Sequence, residues 1–135
     1  MKKLTAEWVR KAEADFEAAN TIAKLDPSLR DPLCFHCQQT VEKYLKALLQ
    51  ELGQVVPRTH DLANLLNRLL KLDKTLRGLR RGLKQLTRYA VEYRYPGIVA
   101  TSRQARSALR RAELVRQAIR IKLGIPASGK RRPSP

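Results

Sequence analysis

The fold is decided by residues 31–53, DPLCFHCQQTVEKYLKALLQELG. Asp31 and Pro32 are typical of a helix N-terminus, where a capping side chain precedes a proline that needs no N–H partner. Gly53 is placed to end this helix in a left-handed conformation. Apolar residues recur every three or four positions between these ends, which predicts one buried face. That face comprises Cys34, Cys37, Val41, Tyr44, Leu45, Leu48 and Leu52.

The same helical spacing continues on both sides of this segment. Thr5 is expected to cap a first helix that ends at Asp26 and Pro27, because proline disfavours the α conformation of the residue before it. Thr59 is expected to cap a short third helix that continues through Leu72. The last two helices are predicted from Asp73 to Pro96-Gly97, with Leu76, Leu79, Leu83, Leu86 and Ala90 buried, and from Thr101 to Leu123.

No stretch of the sequence shows the sustained alternation of a β-strand. The sequence therefore predicts an all-α protein, an up-and-down bundle of four or five helices over residues 1–125. Residues 126–135 are rich in Ser, Pro and basic side chains, which predicts a disordered basic tail.

Composition excludes two classes of protein. Of the 135 residues, 43% are hydrophobic and 30% charged, which is typical of a soluble domain, and no apolar run approaches a membrane span. Two cysteines do not make a disulfide scaffold. The first residues, Met-Lys-Lys-Leu-Thr-Ala, lack the apolar core of a signal peptide, so a cytoplasmic protein is expected. A secreted mini-protein and a membrane protein are therefore excluded.

Positive charge is concentrated in the second half of the chain. The net charge is +16, yet residues 1–60 hold nine Lys/Arg and eight Asp/Glu, whereas residues 61–135 hold 19 Lys/Arg and four Asp/Glu. This asymmetry favours contact with a polyanion or an acidic partner, although it could also serve solubility alone.

A basic surface is predicted on the last two helices. Like charges four residues apart destabilise an isolated helix, and no interleaved acidic residues relieve them here, which favours an anionic ligand. The same outer side carries Leu114 and Ile121, which the internal core does not explain and which suggest a subunit contact. The basic residues are Arg77, Arg81, Lys84 and Arg88 on the fourth helix and Arg103, Arg106, Arg110 and Arg111 on the last.

The run Cys34-Phe35-His36-Cys37 has the composition of a metal or redox site. At 100° per residue, however, Cys34 and Cys37 face the apolar side while His36 points almost opposite, so the three cannot converge on one ion. We interpret the cysteines as core residues and expect neither a metal nor a cofactor.

Two further groups of residues have the chemistry of a nucleotide site. One polar strip of the second helix carries histidine, amide and ammonium groups, which suit a phosphate, although such a strip can also be a solvated helix face. Its residues are His36, Gln39, Lys43, Lys46 and Gln50. The second group is the segment Arg88-Tyr89-Ala90-Val91-Glu92-Tyr93-Arg94-Tyr95. Its arginines can hold phosphates and its tyrosines can stack on bases, although the tyrosines can also pack the end of the bundle.

Three motifs together resemble the HEPN (higher eukaryotes and prokaryotes nucleotide-binding) domain family in its stand-alone bacterial and archaeal type. They are Phe35-His36-Cys37-Gln38-Gln39 followed by Glu42-Lys43-Tyr44-Leu45-Lys46-Ala47-Leu48-Leu49, then Pro57-Arg58-Thr59-His60-Asp61-Leu62, then Arg94-Tyr95-Pro96-Gly97. The resemblance covers about Thr5 to Gly124. It implies a helical bundle that forms a homodimer, often encoded beside a minimal nucleotidyltransferase, and many members are metal-independent ribonucleases.

One catalytic residue of the active members is replaced here. In the HEPN family that this chain resembles, the active ribonucleases have an Arg, then four to six residues, then a His. One toxin-type branch also has a Tyr two positions after that His. In this chain that pattern falls on Arg88, Tyr93 and Tyr95. Tyrosine has a pKa near 10 and shuttles protons poorly at neutral pH, so the replacement argues against catalysis. Arg30 and His36 also have the bare spacing, but they span the loop that enters the second helix.

The first hypothesis is therefore a non-catalytic nucleotide- or RNA-binding module that acts with a minimal nucleotidyltransferase. Its binding residues would be His36, Gln39, Lys43, Arg58, His60, Arg88, Tyr93, Arg94 and Tyr95. The alternative is a toxin-like endoribonuclease of a toxin–antitoxin pair that uses Arg88 with His36 or His60. A third interpretation is a scaffold whose only ligand is an acidic protein.

Overall fold

The second helix occupies the centre of the molecule. In a computed structural model that describes residues 1–127, α1 spans Lys3–Leu25, α2 spans Arg30–Glu51 and α5, the last helix, spans Ser102–Leu123. Helix α2 packs against both of the others. The loop between α1 and α2 is only four residues long, so the two helices form an antiparallel hairpin. Tyr44 and Leu45 at the middle of α2 have no exposed surface.

Shorter elements close the other side of the bundle. Helix α3 spans Leu62–Leu70 and α4 spans Leu83–Arg88, with a first 3-10 helix at Lys74–Leu79 before α4 and a second at Glu92–Arg94 after it. The all-α prediction is confirmed, since residues 1–127 contain helices and no strand. The predicted tail lies outside the described residues from position 128 onward.

Three helix starts differ from the prediction. Helix α1 begins before Thr5, which is buried inside it rather than capping it. Helix α2 begins at Arg30, so Asp31 does not cap it; its carboxylate accepts a hydrogen bond from the backbone N–H of Ala100 at 2.7 Å. Asp61 rather than Thr59 caps α3, through the N–H of Asn64 at 3.2 Å. At α3, Thr59 and Asp61 are both good caps and only the path of the chain selected one, whereas α1 and α2 begin after Lys2 and Leu29, which make no side-chain capping hydrogen bond.

The predicted fourth helix is wrong as a single element. The first 3-10 helix ends at Leu79, and Gly82 has a φ of +83°, a left-handed conformation immediately before α4. Its leucines nevertheless face the core as predicted, because Leu76, Leu83 and Leu86 are buried. The four basic residues expected in one stripe therefore lie on separate elements.

Both ends of α5 and the C-terminal end of α2 lie where the sequence predicts them. Thr101 and Gln104 form a capping box, in which the Thr101 hydroxyl accepts from the Gln104 N–H at 3.0 Å and Gln104 accepts from the Thr101 N–H at 2.8 Å. Gly53 and Gly124, at φ of +74° and +76°, end α2 and α5 as predicted.

A buried ionic cluster joins the three long helices. Arg116 of α5 donates to both carboxylate oxygens of Glu13 of α1, at 2.6 and 2.7 Å. The Tyr44 hydroxyl of α2 donates to the same carboxylate and accepts from Arg120 at 2.9 Å. Burial by itself would raise the pKa of Glu13, but the hydrogen bonds from Arg116 and Tyr44 outweigh it and lower that pKa.

Among the described helices, none is long and apolar enough to cross a membrane.

The broken fourth helix yields a matched pair of glycine variants. Gly82→Ala should lower the free energy of unfolding by about 1–2 kcal/mol, because an L-residue is strained in the left-handed region. The added Cβ would also lie 3.0 Å from Cδ of Arg111. Gly78→Ala is the control, since its Cβ would meet no atom within 4 Å. Urea denaturation measures both, and equal losses of stability would contradict the left-handed turn at Gly82.

Candidate functional site

Arginine and tyrosine side chains gather where α4 ends and the second 3-10 helix begins. We call residues 88–95 the Arg–Tyr segment. Its tyrosines divide between the core and the surface: Tyr89 is buried, Tyr93 is half-buried and Tyr95 is 62% exposed. The Tyr89 and Tyr93 rings lie 4.9 Å apart between centroids. Tyr89 thus packs the end of the bundle, which one interpretation of these tyrosines predicted, and Tyr95 is the exposed ring.

The two arginines of the Arg–Tyr segment have different surroundings. Arg88 Nε lies 2.9 Å from each carboxylate oxygen of Glu92, so its charge is largely compensated locally. Arg94 instead lies over the ring of Phe35 of α2, 5.7 Å from its centroid, a cation–π contact. Within residues 1–127 Arg94 has no carboxylate partner. Arg94 is therefore the better placed of the two to receive an anion.

Tyr93 occupies the position of the missing histidine. Burial raises the pKa of Tyr93 above its ordinary value, with a further contribution from Cys34. Its hydroxyl lies 3.4 Å from the side-chain oxygen of Gln104, to which it donates. At neutral pH Tyr93 is consequently a protonated phenol, which can donate a hydrogen bond but cannot accept a proton as a general base.

The polar strip predicted on α2 does not lie open along its length. His36 Nδ1 and Lys43 Nζ contact the two oxygens of Asp15 of α1, at 2.8 and 2.5 Å. Gln39 donates to the side chain of Gln38 at 2.7 Å. Lys46 is buried. Because the strip faces α1 as well as solvent, most of its hydrogen-bonding groups have partners inside the protein.

Sequence reasoning missed the buried carboxylate of Glu42. Glu42 accepts from Gln38 and Lys46, both at 3.0 Å, and lies 2.8 Å from Nδ1 of His60. The signal was present, since Gln38, Glu42 and Lys46 follow one another at four-residue intervals. An ionised carboxylate only accepts, so Nδ1 of His60 carries the hydrogen, and in the neutral form of the ring Nε2 is an acceptor. The His60 side chain is 64% exposed.

The structure does not bring the histidines together with Arg88. Within the described part of the chain, Arg88 bonds to Glu92 and Gln85, whereas His36 and His60 each pair with a carboxylate elsewhere. Arg58 is exposed in the loop before α3. All members of the predicted basic surface except the half-buried Arg111 are exposed, on several elements: Arg77, Arg81, Lys84, Arg88, Arg103, Arg106 and Arg110.

The cysteines lie in the core, as the helical geometry predicted. Cys34 and Cys37 are fully buried, and burial raises the pKa of Cys34 to about 12, with Asp31 adding to the shift. Such thiols are unreactive at neutral pH. Residues 1–127 contain no group of three or more His, Cys, Asp or Glu side chains that could hold a metal ion.

Glu42 should make stability depend on pH. Burial alone would raise the pKa of Glu42, but the hydrogen bonds from Gln38, His60 and Lys46 outweigh it and lower that pKa. The stabilisation is therefore present above the ordinary Glu pKa of about 4.3 and is lost as the pH falls through the lower folded value. Glu42→Gln should cost about 3–5 kcal/mol at pH 7, because Lys46 stays buried without its partner.

Urea denaturation of wild type and Glu42→Gln at pH 7 and pH 3 measures this effect. The difference between the two proteins should shrink at pH 3, because the carboxyl group of Glu42 is protonated in the unfolded chain below its ordinary pKa, which reduces the stabilisation. Glu113→Gln, at an exposed position of α5, is the control and should change little at either pH. A difference that stays constant from pH 7 to pH 3 would refute the role of the ionised carboxylate.

Comparison with known proteins agrees with the motifs and the fold. The family model described as the HEPN domain matches residues 5–122. The crystal structure of TT1696 from Thermus thermophilus is similar with a TM-score of 0.77 and 23% identity, over 90% of this chain and 99% of that one. The crystal structure of ST0689, an archaeal HEPN homologue, is similar with a TM-score of 0.70 and 24% identity, over 91% of this chain and 99% of that one. No curated protein matches. Because the family model covers most of its length, the chain belongs to the HEPN domain family.

Proposed function

We propose that this HEPN protein is a non-catalytic module that binds RNA or a nucleotide through the Arg–Tyr segment. The observation that carries the proposal is the position of Arg94, a cation without a carboxylate partner in residues 1–127, over Phe35 and next to the exposed ring of Tyr95. Arginine planes and aromatic rings are the groups on which unpaired bases stack, and the guanidinium also suits phosphate.

The charge of the second half supports the same ligand. The first-half carboxylates of Glu13, Asp15 and Glu42 are occupied by cations inside the bundle. Within residues 61–127 the basic side chains other than Arg111, Arg116 and Arg120 are exposed, on several elements. An extended anion that crosses more than one of these elements would release counterions from the whole basic surface.

Tyr93 and the two histidines support binding without cleavage. Tyr93 is a protonated phenol. By resemblance, it stands at the position where active members of the family have histidine. His36 and His60 are each held by a carboxylate away from Arg88. A general acid or base must lie within hydrogen-bonding reach of the group whose proton it moves, together with the group that stabilises the charge.

The family resemblance extends the proposal to partners. The protein acts as a homodimer and associates with a minimal nucleotidyltransferase. Co-expression with a small nucleotidyltransferase from the neighbouring reading frame, if one is encoded there, tests the association: a stoichiometric complex in size-exclusion chromatography supports it, and separate elution contradicts it.

Binding of RNA should weaken steeply with salt and depend on the Arg–Tyr segment. We expect the affinity for a fluorescent single-stranded RNA to fall strongly between about 50 and 200 mM salt. Tyr95→Ala should cost about 1–3 kcal/mol of binding, because a stacked base loses its platform. Arg94→Ala should weaken binding and reduce the salt dependence by about one charge. Fluorescence anisotropy measures all three quantities.

Arg10→Ala is the matched control for Arg94→Ala. Arg10 is exposed on α1, so the variant loses the same charge outside the Arg–Tyr segment. An equal effect of both variants would show that only net charge matters. Absence of RNA binding by the wild type at the lower salt concentration would remove the nucleic-acid part of the proposal.

One observation favours a second candidate, the metal-independent endoribonuclease of a toxin–antitoxin pair. Glu42 orients His60 with Nε2 as an acceptor on an exposed ring, which is the arrangement of a carboxylate-supported general base. Labelled RNA is incubated with the protein in the presence of a chelator. Intact RNA supports the binding module, whereas cleavage that His60→Ala or His36→Ala abolishes would establish the nuclease.

A further inference from the structure

An apolar groove lies between the first 3-10 helix and the outer face of α5. We call it the α5 groove; it encloses about 350 Å³ and includes Gly78, Leu79, Arg111, Leu114, Ala118 and Ile121. Leu114 and Ile121 are 43% and 62% exposed, so the floor of the groove is covered by nothing in residues 1–127. Exposed apolar surface bounded by polar side chains is typical of an interaction site.

The α5 groove carries uncompensated positive charge. Arg111 lines it, Arg110 precedes Arg111 on α5 and Arg77 precedes Gly78 in the chain. None of these three arginines makes an ion pair with any residue of the range 1–127. Arg111 passes close to the backbone at Gly82, where its Cδ would lie 3.0 Å from an added Cβ. On α5, Lys122 is already paired with Asp73 at 2.9 Å, so the unpaired cations of this helix beside the groove are Arg110 and Arg111, one turn before Leu114.

This combination of an apolar floor and basic side chains selects among possible occupants. In a symmetric contact with a second copy, the same patch meets itself, and because the residues that line the groove include Arg111 but no carboxylate, that contact would give this arginine no partner. A nucleic acid would match the charge but would leave Leu114 and Ile121 without apolar partners. A segment with apolar side chains on one face and carboxylates beside them complements both the apolar floor and the basic side chains of the groove.

We propose that the α5 groove binds an amphipathic helix of a partner protein, with an apolar stripe flanked by Asp and Glu. Leu114 and Ile121 are seven residues apart, about 10 Å along α5, which matches two turns of an incoming helix with apolar residues at i, i+3, i+4 and i+7. The carboxylates of that helix pair with Arg77, Arg110 and Arg111. The α5 groove shares no residue with the Arg–Tyr segment. Its three arginines do belong to the basic surface, so an RNA long enough to reach them would compete with the helix.

The test uses two synthetic helices of about 18 residues labelled with fluorescein. Both carry leucines at i, i+3, i+4 and i+7, and they differ only in having glutamate or lysine at the flanking positions. The glutamate helix should bind the full-length protein, more weakly as salt increases, whereas the lysine helix should not bind. Ile121→Glu should weaken binding of the glutamate helix at least about tenfold, because it places a charge at the centre of the contact.

Two further variants make the test specific to the α5 groove. Gly78→Leu should also weaken binding, because its side chain enters the groove at a position where a Cβ meets no atom within 4 Å. Val55→Glu places the same charge at another exposed apolar residue, 82% exposed and outside the groove, and should bind as wild type. Circular dichroism spectra of all variants should match the wild type.

Three results would overturn the proposal. The first is equal binding of both helices, or binding of the glutamate helix that Ile121→Glu and Gly78→Leu leave unchanged. The second is a wild-type dimer in sedimentation velocity that Ile121→Glu converts to a monomer, which would make a second copy the occupant. The third is binding of a labelled RNA that is lost with Gly78→Leu, which would assign the groove to nucleic acid.

Discussion

The burial of α2 on nearly all sides is the constraint on which the rest of the structure depends. Residues on both its apolar and its polar side are enclosed, including Gln38, Glu42 and Lys46. A charged group removed from water is costly unless it is paired and hydrogen-bonded. The surrounding elements therefore do more than cover an apolar stripe: the loop before α3 brings His60 to Glu42, and α1 brings Asp15 to His36 and Lys43.

The pairing inside the bundle also determines what the surface shows to other molecules. Glu13, Asp15 and Glu42 supply three of the eight carboxylates of the first 60 residues, and each is engaged by basic side chains within the protein. Two of the cations that neutralise Glu13, Arg116 and Arg120, come from α5. Of the other basic residues between positions 61 and 127, all but the half-buried Arg111 are exposed. Two different ligand chemistries therefore become possible on one chain: stacking and phosphate contact at the Arg–Tyr segment, and an acidic amphipathic helix at the α5 groove.

Much of the fold could be predicted because its determinants are local. The apolar period of α2, the capping box at Thr101 and the glycines at 53 and 124 act within one turn of helix, and the structure contains all of them. Helix starts were predicted less well, because Thr59 and Asp61 are both good caps and local preference does not separate them. The continuous fourth helix was wrong because the leucine period survives a break at Gly82 that keeps the same face buried.

The candidate site divides in the same way between local and distant causes. The sequence by itself determined an all-α bundle of the HEPN family, buried cysteines, a basic second half and the absence of histidine at position 93, since each follows from residue type and spacing along one helix or motif. Only the tertiary structure decided that Glu42 holds His60 and that Phe35 lies under Arg94, whereas the pairing of Arg88 with Glu92 is local, four residues apart, and could have been predicted from the spacing. The contacts to His60 and Arg94 join residues 18 and 59 positions apart, and which distant side chains meet depends on how the helices pack rather than on any local preference.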